Sequence, residues 1–171
     1  MSTYVALLRG INVGGNNPLP MKALKLCLQD AGYSNVQTYI QSGNIVLDAD
    51  TNPKDELGPL IEKSFGIEPA IMVMAKEEFS AAHTTNPFEG AGNTIHFYFC
   101  DAEPALDQPK LDLLLASSES YALHGKVFYL HAPDGIGRSK LVANIESCLG
   151  VAATGRNLNT VGKIASMLGA D

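Results

Sequence analysis

An α+β fold made of two tandem βαββαβ units is the architecture this sequence predicts, and three observations predict it. Strand-like apolar runs and stretches with helical apolar spacing follow one another in the same order twice along the 171 residues. Segments rich in Gly, Pro and Asn punctuate them. The second helix of each half also ends on a similar tripeptide, Phe65-Gly66-Ile67 against Leu149-Gly150-Val151.

In the first half, Tyr4 to Leu8 is continuously apolar, as a strand buried on both faces would be. Pro18 and Pro20 stiffen the entry to a helix with Met21, Leu24, Leu28 and Ala31 on one stripe, and Gly32 ends it. Val36 to Ile40 and Ile45 to Leu47 make a hairpin across Gln41-Ser42-Gly43-Asn44. Pro53 opens a helix carrying Leu57, Leu60, Ile61 and Phe65, Gly66 stops it, and Ile71 to Met74 is the fourth strand. A connector with a short helix at Lys76 to His83 then passes Pro87, Gly90 and Gly92.

In the second half, Ile95 to Cys100 is a strand, Leu106 to Ala116 a helix, and Tyr121 to Leu123 with Lys126 to His131 a hairpin turning at Gly125. Ser139 to Leu149 is the next helix. An extended piece, Val151 to Thr154, precedes a last helix with Leu158, Val161, Ala165 and Leu168 on one stripe. The expected domains are 1–75 for the first unit, 76–93 for the connector, and 94–171 for the second unit with its extra C-terminal helix. Each unit is a ferredoxin-like split βαβ arrangement, an antiparallel sheet with helices on one face.

Composition narrows the function. With 46% hydrophobic and 18% charged residues the chain can bury a core, and its formal net charge of −6 disfavours a general grip on DNA, which needs clustered Lys and Arg. Cys27, Cys100 and Cys148 are far apart and fit neither a disulfide framework nor a CxxC motif, so buried reduced thiols are expected. Met1-Ser2-Thr3-Tyr4 shows no basic region leading into an apolar one, and no apolar run nears 18 residues, so a cytoplasmic protein off the membrane is expected. His83, His96, His124 and His131 have no metal-ligand spacing, no GxSxG marks a nucleophile, and no paired-carboxylate motif is evident. Cofactor, catalytic residues and oligomeric state are left undefined.

The loop Arg9-Gly10-Ile11-Asn12-Val13-Gly14-Gly15-Asn16-Asn17, between a strand and a helix N-terminus, is a candidate anion site. In a split βαβ sheet the end of the first strand meets the start of the third, which brings this loop to the turn Gln41 to Asn44. Arg9 would supply a planar cation, Gly14 and Gly15 backbone N–H groups, and Asn12, Ser42, Gly43 and Asn44 a polar rim for a small anionic or phosphate-bearing metabolite or nucleotide. Neither the GxGxxG spacing nor a Gly-Lys-Ser/Thr ending is present. The alternative is structural, since Ser-Gly-Asn and Gly-Gly-Asn-Asn-Pro are ordinary turn and loop chemistry.

The second half has its polar motifs at its other edge, Gly135-Ile136-Gly137-Arg138-Ser139-Lys140 and Thr154-Gly155-Arg156-Asn157. Lys140, Arg156 and Asn157 would close the first site if the units fold toward each other. Two arginines, a lysine and two helix N-termini would also make this edge an anion site of its own; alternatively, Ser139 and Asn157 simply cap helices. A further alternative places an RNA- or protein-binding surface on the second sheet. It puts His96, Tyr98, Tyr129 and His131 on one face, with Phe97, Phe99, Phe128 and Leu130 on the other.

With these residues in view, the chain resembles a bacterial protein family of unknown function marked by ALLRGINVGG and TYIQSGN motifs, here Ala6 to Gly15 and Thr38 to Asn44. A C-terminal T-x-R-N-x-x-T signature matches Thr154 to Thr160, with Leu158 where the family often has an aromatic residue. The resemblance spans nearly the whole chain and includes Gly137-Arg138-Ser139-Lys140. It implies a compact α+β protein of about this length and a common origin for the motif residues, and no activity.

Overall fold

The computed structural model describes residues 1–12, 15 and 18–169. Two four-stranded antiparallel sheets, helices between their strands and a C-terminal helix make up the architecture. The chain divides into two compact units, Met1–Ala81 with the segment from Ile164 onward, and Ala82–Lys163. One boundary falls inside helix α3 (Lys76–Thr85), which occupies much of the expected connector and is followed by a 3-10 turn, Gly92–Thr94, and the other falls inside the C-terminal helix, Leu158–Met167.

The first unit runs β1 (Ser2–Arg9), α1 (Met21–Asp30), β2 (Ser34–Tyr39), β3 (Asn44–Ala49), α2 (Lys54–Phe65) and β4 (Ala70–Ala75), with strand order β2-β3-β1-β4. Because β1 is interior, pairing with β3 on one side and β4 on the other, Val5 to Leu8 are wholly buried and their run needs no polar alternation. Ala6, Leu8, Ile45 and Leu47 pack with Met21, Leu24 and Leu28 of α1 and with Leu57 and Ile61 of α2. On edge strand β2 the register shifts between Ser34 and Gln37, where Asn35 takes φ 51° and donates to Asp48 Oδ2 at 2.7 Å.

The second unit runs β5 (Ile95–Cys100), α4 (Gln108–Leu114), β6 (Ser120–His124), β7 (Val127–His131), α5 (Lys140–Ala143), α6 (Ile145–Leu149) and β8 (Ala153–Asn157), in the equivalent order β6-β7-β5-β8. Helix α7 (Leu158–Met167) follows, burying Val161, Ile164, Ala165 and, just past its end, Leu168. The tripeptide echo has a common geometry. Gly66 and Gly150 are both left-handed C-caps, at φ 73° and 75°, whose N–H groups reach Glu62 O and Glu146 O at 2.8 Å.

Four expectations need correction. The helix expected over 139–149 is broken at Asn144, whose side chain donates to Lys140 O at 2.9 Å, so that α5 and α6 are separate. Helix α4 is shorter than expected because Ala105 and Asp107 donate their N–H groups to Leu149 O and Cys148 O before the helix begins, and Asp107 caps it. The extended piece expected over Val151 to Thr154 lies further on, at Ala153–Asn157, so that Thr154 to Asn157 are most of the fourth strand, paired with β5 from Cys100–Ala153 to His96–Asn157. The aromatic residues are also sorted differently from the expected faces. Tyr98 pairs with Phe128 and Tyr129 with Phe97, which puts the two tyrosines on opposite faces, and both are buried, at 6% and 1% exposure.

Candidate functional site

The first unit brings the sequence motifs of its one edge together. Leu7 of β1 lies opposite Asn44 of β3, and Leu8 N–H donates to Gly43 O at 2.8 Å, so the end of β1 abuts the turn over 40–43. A hydrogen bond from Gly43 N–H to Ile40 O, 3.3 Å, closes that turn. At φ 90°, Gly43 is costly to replace. A Cβ there would lie 2.8 Å from both Leu8 Cβ and Ile11 Cδ1.

Asn12 ties the loop to the turn. Its Nδ2 donates to Gln41 O and to Leu19 O, each at 2.9 Å, while its Oδ1 accepts from Leu19 N–H at 2.7 Å. One amide thus clamps the residue that opens the turn against the residues entering α1. The other sequence-predicted groups take distinct positions. Arg9 is half-buried at the end of β1, opposite Ala70 of β4. Gly15 is exposed at φ 80°, and a Cβ there would meet none of the described residues within 4 Å. Ser42 is exposed and accepts from Asn44 Nδ2 at 3.1 Å. Asn44 itself is fully buried, its Nδ2 also donating to Tyr39 O at 3.0 Å, so it closes the turn from within. Gly14, with Val13, Asn16 and Asn17, lies outside the described residues.

Helix α1 begins beside this edge with Pro20 as its N-cap residue, whose side chain makes no capping hydrogen bond, and with no acidic residue in its first turn. Its first N–H groups have no intrahelical acceptors, and its own first turn adds no carboxylate to the positive dipole end. Left-handed backbone is concentrated here, at Gly10, Asn12, Gly15, Ile40 and Gly43. For Ile40, β-branched and 47% exposed, that conformation is costly.

The second unit's motif residues are arranged otherwise. His131 and Asn157 flank the start of β5, opposite Ile95 and His96, so the exits of β7 and β8 share one end of the sheet. Arg156 and Asn157 are successive strand residues and leave opposite faces, Arg156 beside Phe97 and Asn157 beside His96. Burial lowers the Arg156 guanidinium to about 10, which keeps it charged at neutral pH, and its Nη1 donates to Gly155 O at 2.8 Å. Gly155 is required by the Tyr98 ring, 2.8 Å from where a Cβ would be. The capping roles hold. Ser139 Oγ accepts from Val142 N–H at 3.2 Å, and Asn157 Oδ1 accepts from Thr160 N–H at 3.0 Å. Lys140 is exposed on α5.

The motif that begins at Gly135 lines a cleft of about 420 Å³ in this unit, Gly135, Gly137, Arg138 and Ser139 standing beside Ser118, Glu119, Ala132 and Asp134, and what sequence reasoning passed over is Glu119. Glu119 is 8% exposed and accepts from Ala116 N–H at 2.8 Å and from Ser139 Oγ at 2.7 Å. A single acid in Ser117-Ser118-Glu119-Ser120 belongs to no motif, so no pattern marked it. Elsewhere, burial holds His96 below its ordinary pKa, and its Nε2 meets no partner among the described residues. Burial also raises the Cys100 thiol to about 11 and the Tyr129 hydroxyl, which donates to Ala82 O at 2.7 Å, to about 12. Among the described residues no three metal-ligating side chains gather, and no helix is long and apolar enough to cross a membrane.

The comparisons with known proteins agree with this architecture. A family model described as "Protein of unknown function (DUF1697)" matches residues 1–129, so the C-terminal signature at Thr154 to Thr160 lies beyond the matched residues. No curated protein matches the sequence. The chain is similar in structure to a conserved bacterial protein from Streptococcus pneumoniae, with TM-score 0.71, 24% identity and 98% of each chain covered, a likeness of fold.

Proposed function

We propose, from the premise that the chain belongs to the DUF1697 family of proteins of unknown function, that the β1 to α1 edge of its first unit binds a small anionic or phosphate-bearing ligand. The observation that carries this reading is the Asn12 clamp. It holds the entry to a helix that begins behind a proline and the opening of the turn on either side of one amide, and a helix N-terminus favours an anion at that edge. Arg9 supplies the counter-charge, and exposed Gly15 and Ser42 supply an N–H group and a hydroxyl; Gly14 is assigned the role of a second N–H donor. Asn12, Gly43 and Asn44 act as the frame that holds these groups, because Asn12 and Asn44 tie the loop and the turn together and Gly43 packs against Leu8 and Ile11. Lys140, Arg156 and Asn157 have no role in this reading.

A second reading is that the motif residues are purely structural, and the same engagement of Asn12 and Asn44 favours it. A thermal-shift screen of nucleotides, sugar phosphates and small carboxylates separates the two. A ligand at about one hundred times its Kd stabilises the fold by about 2.7 kcal/mol, and that shift is lost in a folded Arg9→Gln variant. If no anion raises the melting temperature, and Arg9→Gln lowers it without any ligand, the edge is a structural knot.

A further inference from the structure

The cleft of the second unit has a charge pattern opposite to that of the edge just described. Glu119 is buried in its wall, and both of its hydrogen bonds come from neutral donors, Ala116 N–H and Ser139 Oγ. Among the described residues no Lys, Arg or His forms an ion pair with it. A carboxylate with two oxygens has about four acceptor positions, so about half remain. A buried charge without a counter-charge is costly to keep. Its field reaches the interior, since the Tyr98 hydroxyl is raised to about 12 by burial and then by the charge of Glu119. Asp134 adds a second negative charge to the lining, and Arg138 is the one cation in it.

We propose that this cleft binds a small organic ammonium compound, its N–H donors directed to Glu119 with Asp134 assisting. Two carboxylates against one guanidinium disfavour a phosphate or carboxylate ligand. A hard metal ion asks for six or more oxygen ligands, and no third acidic side chain joins these two. An alkylammonium supplies three N–H donors and an apolar stem, and a space of about 420 Å³ admits a molecule of that size. The site lies wholly within the second unit and does not rest on the reading of the Arg9 edge.

The test is a titration of the full chain followed by amide NMR, with butylamine, sodium succinate and calcium chloride compared at constant ionic strength. Butylamine is expected to shift the amides of Ser118, Glu119, Gly135 and Gly137 saturably. Glu119→Gln should weaken its binding about tenfold or more, and Asp134→Asn about two- to threefold. The proposal is overturned if butylamine leaves those amides unmoved, if succinate or calcium moves them as strongly, or if Glu119→Gln binds as well as the parent. Should Glu119→Gln not fold, the exposed Asp134→Asn variant decides, and unchanged affinity there overturns the assignment.

Discussion

The two units repeat one strand order, and the same backbone bond closes the corresponding corner in each. Leu8 N–H reaches Gly43 O at 2.8 Å in the first, and Cys100 N–H reaches Lys126 O at 2.8 Å in the second. Around that bond they differ. The first unit packs its turn onto Leu8 and Ile11 and locks the β1 to α1 loop with Asn12, whereas the second turns at Gly125, where a Cβ would meet nothing within 4 Å. The second unit instead elaborates the connection from β7 to α5, at the other end of its sheet, into a cleft. Topology carries over between the units while the polar chemistry does not, because strand order depends on buried apolar faces and loop chemistry is free of that constraint.

Substitution of the two corner glycines breaks this comparison most forcefully. Gly43→Ala combines a left-handed backbone with overlap on Leu8 and Ile11 and should cost about 3 kcal/mol. Gly125→Ala, at φ 58° in open space, should cost about 1 kcal/mol. Urea denaturation of both variants measures the difference, and equal losses would mean the first corner is not specially packed. Next in size is Asn12→Ala, which strips Leu19 N–H and Gln41 O of a shared partner and should cost about 2 kcal/mol. Hydrogen exchange should show Leu19 N–H losing protection there while the amides of β5 do not change.

The smallest effect separates the units by pH. His96 has a folded pKa below its ordinary value because of burial, so the unfolded chain takes up a proton first as pH falls through that ordinary value. Stability therefore declines from about neutral pH downward until the folded value is passed, and His96→Leu should flatten that slope. Asp48 of the first unit is held below the usual carboxylate range by Asn35, then by Thr3. Its contribution is complete above the ordinary carboxylate value and is lost as pH falls through the lower folded one, a slope that Asn35→Ala should reduce. Denaturation midpoints followed from pH 8 to pH 3 would resolve the two windows, with the His96 effect at the higher pH.

Several features were legible in the residues alone because they depend on local chemistry. The run Val5 to Leu8 predicts an interior strand, the stripe Met21-Leu24-Leu28 a helix packed on one side, and Gly66 the end of its helix, with Gly150 at the matching place in the second half. Meeting of the β1 exit with the Gln41 to Asn44 turn followed from strand order. What pattern could not supply was partner choice across the sheet. Pairing of Thr154 to Asn157 with β5 separated Arg156 from Asn157, and the β5–β7 register sent Tyr98 and Tyr129 to opposite faces, since a one-residue change in register inverts every side chain. Glu119 was equally invisible, its burial arising only when residues distant in sequence fold around it. Periodicity and turn chemistry thus determined the elements and their order, because both act over a few residues. Which polar groups became clamps, caps or cleft walls was decided by tertiary contact, because hydrogen-bond partners and desolvation exist only once the chain has closed on itself.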